Sequence, residues 1–430
     1  MRSRKLAVIA CVPLAAVLAL SGCSDDKSDK GSSSGGQDSG DKQVTLKVVG
    51  WKGGPSEPAN VKEINAAFEK AHPDIKIDYT FQPGGDPYTQ KLNAQLLGGN
   101  AADVIMADTP NAARWAKSGY LSDLSDQPWV ADMAAPVKPL VTDNSKVVAL
   151  PSELTGVGLF SNMKVLKAAG ITKPPATWPE LVADLDALKT AHQPGIALPD
   201  KSGWTVFTAI TASAASLVFQ GTPGWNQDLA AGTTGFAGTD GWKTATQQVA
   251  DLGAKGLIDY KAQLGVDEWS QGTQDFKAGK SAFLLQGSWA MSDLSKGITD
   301  LKFSTWPGGP AGDQGSATTA VGTLWTVNAK TSKQAAAKEY LKYWATSAAL
   351  TPYLTAEAAF SPMKTTPSPA IPDAEDLVAA VTAGRYYVLP ESTWAGGTSQ
   401  KDMQNAVQAL ILGKKSVAQT LDAFDSAAKG

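Results

Sequence analysis

The 430-residue chain carries 13 tryptophans, and the placement of several of them is its most pointed chemical feature. Trp51 lies in GWKGG, Trp204 follows Ser202-Gly203, Trp289 lies in QGSWA, Trp325 in VGTLWTV and Trp394 in STWAGG. An indole beside glycines at the end of an element is often at the mouth of a cleft. Its flat face packs against the C–H face of a pyranose ring, and the ring's hydroxyls need partners such as Asp, Glu, Thr and indole N–H. For any single tryptophan, burial in a core is the competing reading. As a group, several are expected to line a ligand cleft. Trp115, Trp242 and Trp344 lie on apolar helical stripes and read as core.

Signatures of covalent chemistry are thin. Gly31-Ser32-Ser33-Ser34-Gly35 matches G-x-S-x-G but sits in a stretch without the strand and helix that strain a nucleophile. Ala278-Gly279-Lys280-Ser281 resembles the end of a P-loop, yet position 274 is Gln where the earlier glycine belongs. His72 and His192 are the only imidazoles, each at a helix end, and no metal-ligand cluster is evident. A carboxylate pair for glycoside hydrolysis stays open, because such pairs are assembled in three dimensions. With 38 Lys+Arg against 41 Asp+Glu the formal charge is −3, and beyond the first residues the arginines are Arg114 and Arg385. There is no basic stripe for nucleic acid and no set of guanidinium forks for strongly anionic ligands.

The N-terminus reads as an address. Arg2, Arg4 and Lys5 precede an apolar run from Leu6 to Leu20, too short to span a bilayer comfortably. Leu20-Ser21-Gly22-Cys23 resembles a bacterial lipobox, so positions 1–22 are expected to be a signal peptide. Cys23 would then be lipidated as the mature N-terminus, leaving no thiol for catalysis or metal binding. The alternative is an ordinary secretion signal with an incidental cysteine. Residues 24–42 contain no apolar side chain and read as a flexible tether with a reach of roughly 24 Å.

A chain this long exceeds one ordinary core, which predicts at least two lobes. Val44, Leu46 and Val48 alternate as a strand; Asn60 is positioned to cap a helix with Val61, Ile64 and Phe68 on one stripe. Ile75, Ile77, Tyr79 and Phe81 alternate again, a helix carries Leu92 and Leu96 up to Gly98-Gly99, and 103–107 is a short buried strand. This β-α-β-α-β order argues for an α/β lobe with a largely parallel sheet. Thr177-Trp-Pro-Glu180 and Ser416-x-x-Gln419 are capping boxes; 281–285 and 321–327 read as strands.

Several segments, taken in order, resemble one family. These are FEKAHPDIKIDYTF (68–81), KLNAQLLGGNAADVIMAD (91–108), residues 147–181 with their PPATWPEL turn, FKAGKSAFLLQGSWA (276–290) and AVQALILGKKSVAQTLDAF (406–424). They are similar to extracellular solute-binding proteins of ATP-driven importers, in the maltose/oligosaccharide-binding branch. SNMK at 161–164 departs from that branch's Tyr-Asn-Lys.

The resemblance implies an α/β, two-lobed periplasmic-binding-protein-like fold with hinge crossovers and an interlobe ligand cleft. Lobe 1 is expected to comprise 44–152 plus 321–362, and lobe 2 153–320 plus 363–430, after the lipidated cysteine and tether at 23–43. Crossings are placed near Pro151–Thr155, Pro307–Gly322 and Pro362. Carried over by position, the substrate-binding residues would be Trp51, Asp108, Glu153, Thr155, Trp204, Trp289, Trp325 and Trp394. For Asp108 and Glu153 the alternative is a helix cap or a surface charge. The implied activity is capture of a carbohydrate without catalysis, cofactor or metal. A monomer would deliver it to permease subunits served by a cytoplasmic ATPase, held at the membrane by the N-terminal lipid. A lipid-anchored glycoside hydrolase, or an importer protein for a polyamine or other non-sugar solute, are the alternatives.

Overall fold

The structure, a computed structural model, describes residues 43–54, 60–389, 394 and 399–429. The expected signal segment at 1–22, Cys23 and the expected tether at 24–42 lie outside the described residues.

The alternation at Val44, Leu46 and Val48 becomes β1 (Val44–Gly50), and that at Ile75–Phe81 becomes β2. Val104–Ala107 is β3, a central strand of a mixed sheet, buried along its whole length. β2 and β3 flank β1 in parallel register, linked through α1 (Asn60–Ala71) and α2 (Asp86–Gly98). α2 stops because Gly99 turns left-handed at φ 71°, where its N–H meets the last carbonyls. α3 (Thr109–Lys117) follows β3. A small ribbon, β4 (Thr142–Asp143) and β5 (Lys146–Val147), precedes β6 (Leu150–Pro151), the edge of this first sheet.

The second sheet is built on β7 (Leu154–Asn162), buried throughout. Its further strands are β8 (Ile196–Ala197), β9 (Phe283–Gly287), β10 (Leu301–Thr305), β11 (Ala317–Val321) and β13 (Tyr386–Val388). β12 (Leu324–Val327) returns to the first sheet, antiparallel to β3 and β6. One hydrophobic core joins the first sheet to one face of the second; another fills the second sheet's opposite face beneath its helices. Those helices include α4 (Met163–Ala168), α5 (Trp178–Thr190) and α6 (Trp204–Ala214).

The apolar run 321–327 is therefore not one strand. Val321 closes β11 in the second sheet, Leu324 opens β12 in the first, and Gly322-Thr323 crosses between them. This places the second crossing at the end of the 307–322 interval. Ser152-Glu153 crosses beside it, and Ser152 N donates to Thr323 O at 3.0 Å. The third crossing lies beyond Pro362. Lys364 N still bonds Asp132 O, and Thr366 Oγ1 still meets Ser347 Oγ, while Asp373 O accepts from Phe303 N. The chain thus changes sides between Thr366 and Asp373, a stretch holding Pro367, Pro369 and Pro372.

A Cβ at Gly322 would lie 2.6 Å from Glu153 Oε1 and 2.9 Å from Thr155 Cγ2. The two crossings approach this closely because position 322 has no side chain. Gly322→Ala is expected to lower stability by about 1–3 kcal/mol through this overpacking. Urea unfolding followed by circular dichroism measures it; an unmoved midpoint would show that the crossings separate freely.

Candidate functional site

Three tryptophans converge on the second sheet's side. Gly203, at φ 90°, turns the chain into α6, whose first residue is the half-buried Trp204. Trp269 stands in the turn that opens the helix Gln271–Lys277; Asp267 Oδ1 holds that turn by accepting from the N–H groups of Trp269 and Ser270. Trp289 follows β9, and its ring folds back over Gly287, where a Cβ would lie 2.0 Å from Trp289 Cζ3. The ring centroids are 5.0 Å apart for Trp204–Trp269, 6.0 Å for Trp204–Trp289 and 6.2 Å for Trp269–Trp289. All three pairs are tilted by 42–50°, so the rings form a faceted surface, not a sealed stack. Trp269 is 47% exposed, one of two large hydrophobic side chains this open among the described residues.

Polar groups support this surface from behind. The Glu268 carboxyl accepts from Ser202 N at 2.9 Å and from Ser202 Oγ. Gln286 Nε2 donates to Glu268 O at 2.8 Å. Asp200 Oδ1 accepts from Val206 N at 2.9 Å in the first turn of α6, where a carboxylate also meets the positive end of the helix. Burial pushes the Asp200 carboxyl up to about 7; the Glu268 charge adds to this, while the bonds from Val206 N–H and Gln408 oppose it.

The first sheet contributes a second group, at the carboxyl ends of β1 and β3. Trp51 stands edge-on to Tyr88 with centroids 5.1 Å apart, and the Tyr88 hydroxyl donates to Met106 O at 2.8 Å. Asp108 N-caps α3: Oδ1 accepts from Asn111 N at 2.7 Å and Oδ2 from Asn111 Nδ2 at 2.9 Å. The helix-cap alternative is thus the one the structure displays. Burial raises the Asp108 carboxyl above its ordinary value against those bonds. Lys52 and Glu357 form an ion pair beside Trp51 in sequence.

The remaining candidates are buried. Trp325 is fully buried, packed against Trp344 at 5.2 Å and Tyr340 at 6.1 Å, so β12 turns it into the first core. Trp394 is 3% exposed, donates to Asn226 Oδ1 at 2.9 Å and meets Phe236 at 5.2 Å; its glycine-rich flank does not bring it to a surface. Thr155 is fully buried within β7 and donates to Ala320 O at 3.2 Å. Glu153 is 1% exposed beside Gly322 and is not a surface charge. Trp269 was not among the sequence candidates. It lacks glycine neighbours, but its setting in Asp267-Glu268-Trp269-Ser270-Gln271 is the signal: an indole among polar residues, on no apolar stripe. No cluster of three or more His, Cys, Asp or Glu able to hold a metal occurs among the described residues.

Residues 53–351, more than half of the chain, match the sequence profile of a family described as bacterial extracellular solute-binding protein. The chain belongs to that family. This solute-binding protein is 22% identical over 442 residues to the multiple sugar-binding protein of Streptococcus mutans serotype c, covering 98% of this chain and 97% of the relative. The melibiose/raffinose/stachyose-binding protein MelE of Bacillus subtilis is 29% identical over 174 residues, or 40% of this chain and 38% of the relative. A solved chitin oligosaccharide binding protein shares the fold with a TM-score of 0.75 at 21% identity, covering 90% of this chain and 98% of that one. The solute-binding protein thus has the two-lobed mixed α/β architecture that its residues pointed to.

Proposed function

We propose that this solute-binding protein captures a carbohydrate, an oligosaccharide by preference, between its two lobes and delivers it unaltered to a membrane permease driven by a cytoplasmic ATPase. The observation that carries the reading is the faceted indole surface of Trp204, Trp269 and Trp289. Tilted aromatic faces match successive sugar rings, which present C–H groups on their faces and hydroxyls on their rims. The relatives named for sugar binding support the same cargo class.

The site takes Trp51 from lobe 1 and the three indoles from lobe 2, with Asp108 kept as the cap of α3 beside Tyr88. A ligand touching both favours the closed arrangement by its differential affinity. We take lobe 1 as 44–152 plus 323–366 and lobe 2 as 153–322 plus 373–430, which moves the expected boundaries at 320/321 and 362/363 to the crossings at 322–323 and 366–373. Lipidation at Cys23 would hold a monomer at the outer face of the membrane, with residues 24–42 as the tether. Of the acids near the indoles, Glu268 and Asp200 are buried and spent on internal hydrogen bonds, while Asp267 is half-buried and accepts through Oδ1 from the N–H groups of Trp269 and Ser270, so a polyamine is the alternative cargo to titrate alongside the sugars.

Calorimetric titration with raffinose, stachyose and chitotriose, followed by chromatography of the recovered sugar, tests the reading. The expected result is saturable binding of at least one of them in the micromolar range, about −8 kcal/mol, with the sugar recovered intact. The melting temperature should rise with the same ligand. No heat with any sugar would overturn the cargo class, and cleavage products would make the protein a hydrolase.

A further inference from the structure

We infer that Glu268 is the positioning residue of the indole surface, holding the three segments that carry Trp204, Trp269 and Trp289 in one frame. Its affinity readout rests on the carbohydrate reading above; its geometric readout does not.

The three tryptophans come from distant parts of the chain, and Glu268 is the residue that touches each segment. It precedes Trp269 directly. Its carboxyl accepts from Ser202 N and Ser202 Oγ, and Ser202 Oγ in turn accepts from Trp204 N at 3.3 Å. Its carbonyl accepts from Gln286 Nε2, and Gln286 Oε1 accepts from Gly287 N at 3.0 Å, the glycine over which Trp289 folds. Each link is therefore a hydrogen bond to the backbone or side chain within three residues of an indole.

Glu268 and Gln286 are each 1% exposed. Burying a carboxyl and a primary amide is costly unless both are bonded, and apolar residues of similar size would serve stability as well or better. What the polar chain adds is direction: each bond fixes an angle as well as a distance, which dispersion contacts do not. Indoles so close that their tilt decides which face is open require such fixing, and preorganised rings lose less freedom when a ligand arrives.

The test compares Glu268→Ala and Glu268→Gln with the unaltered protein by near-ultraviolet circular dichroism without sugar, by saccharide titration, and by melting temperature. Indoles 5.0–6.2 Å apart couple their transitions, and the sign and size of that signal report their mutual tilt. Glu268→Ala removes the bonds to Ser202 while the carbonyl of residue 268 still accepts from Gln286, so it is expected to diminish the part of the coupled signal that involves Trp204 and to weaken raffinose, stachyose or chitotriose binding about tenfold. Glu268→Gln keeps an acceptor for Ser202 and should restore part of both. If Glu268→Ala lowers the melting temperature but leaves the coupled signal and affinity intact, Glu268 is only a packing residue and the inference falls. If that variant does not fold, Ser202→Ala decides: an unchanged coupled signal overturns the inference, a diminished one supports it. If the unaltered protein binds none of the sugars, the carbohydrate reading fails while the dichroism arm still judges Glu268.

Discussion

Trp289→Ala is expected to bind saccharide at least tenfold more weakly than the unaltered protein, a loss of about 1.4 kcal/mol or more. Its ring lies 6.0 and 6.2 Å from those of Trp204 and Trp269, so its removal takes one ring of the proposed sugar surface and lets its two neighbours reorient. The half-buried ring also covers Gly287, so the variant loses some packing. Titration is therefore paired with circular dichroism at the same temperature to confirm that the protein is folded. Unchanged affinity in a folded Trp289→Ala would remove the indole surface from the binding site.

Asp200→Asn should change how stability depends on pH. Unfolded, this carboxyl titrates near ~3.9. Folded, it titrates at about 7 because it is buried beside Glu268. Folding thus favours the protonated form. This contribution is complete below the unfolded value and disappears as pH climbs through the folded one. From this group alone, stability falls by about 1.4 kcal/mol per pH unit, roughly 4 kcal/mol across the window. Asn retains an oxygen for the Val206 N–H and cannot ionise. The variant's melting temperature should therefore fall less between pH 5 and 8 than that of the unaltered protein, the remaining slope coming from groups such as Asp184, whose carboxyl burial pushes up to about 6. Parallel profiles would show that Asp200 does not titrate in that range.

Local patterns with a physical mechanism were readable in the sequence. Alternation found β1 and β2, and Ser416 and Gln419 bond each other's backbone reciprocally, as the capping-box spacing demands. At Thr177 the mechanism shifted by one position, since Glu180 accepts from Ala176 N, an equally near orphan donor. Asn60 entered its helix instead of capping it, its amide going to Pro352 O across the fold.

Long-range facts were less legible. Nothing in Val321–Val327 announces that one half pairs with β7 and the other with β3, because both sheets reward the same apolar residues. Tryptophan shows the same limit. Glycine neighbours mark Trp204 and Trp289, both half-buried, yet also mark Trp394, which the second core absorbs, and pass over the exposed Trp269. Whether an indole is covered depends on what the rest of the chain lays over it.

The pairing of Ser152 with Thr323 has a mechanical consequence. Two polypeptide links fastened edge to edge act as a single flexure, which bends easily about one line and resists twist and lateral slip. If the lobes open and close as proposed, the remaining link, rich in proline, would serve as a strap that limits travel. Cargo of different lengths would be met by different opening angles about the same axis, so the registry of the opposing surfaces would hold along the whole stroke.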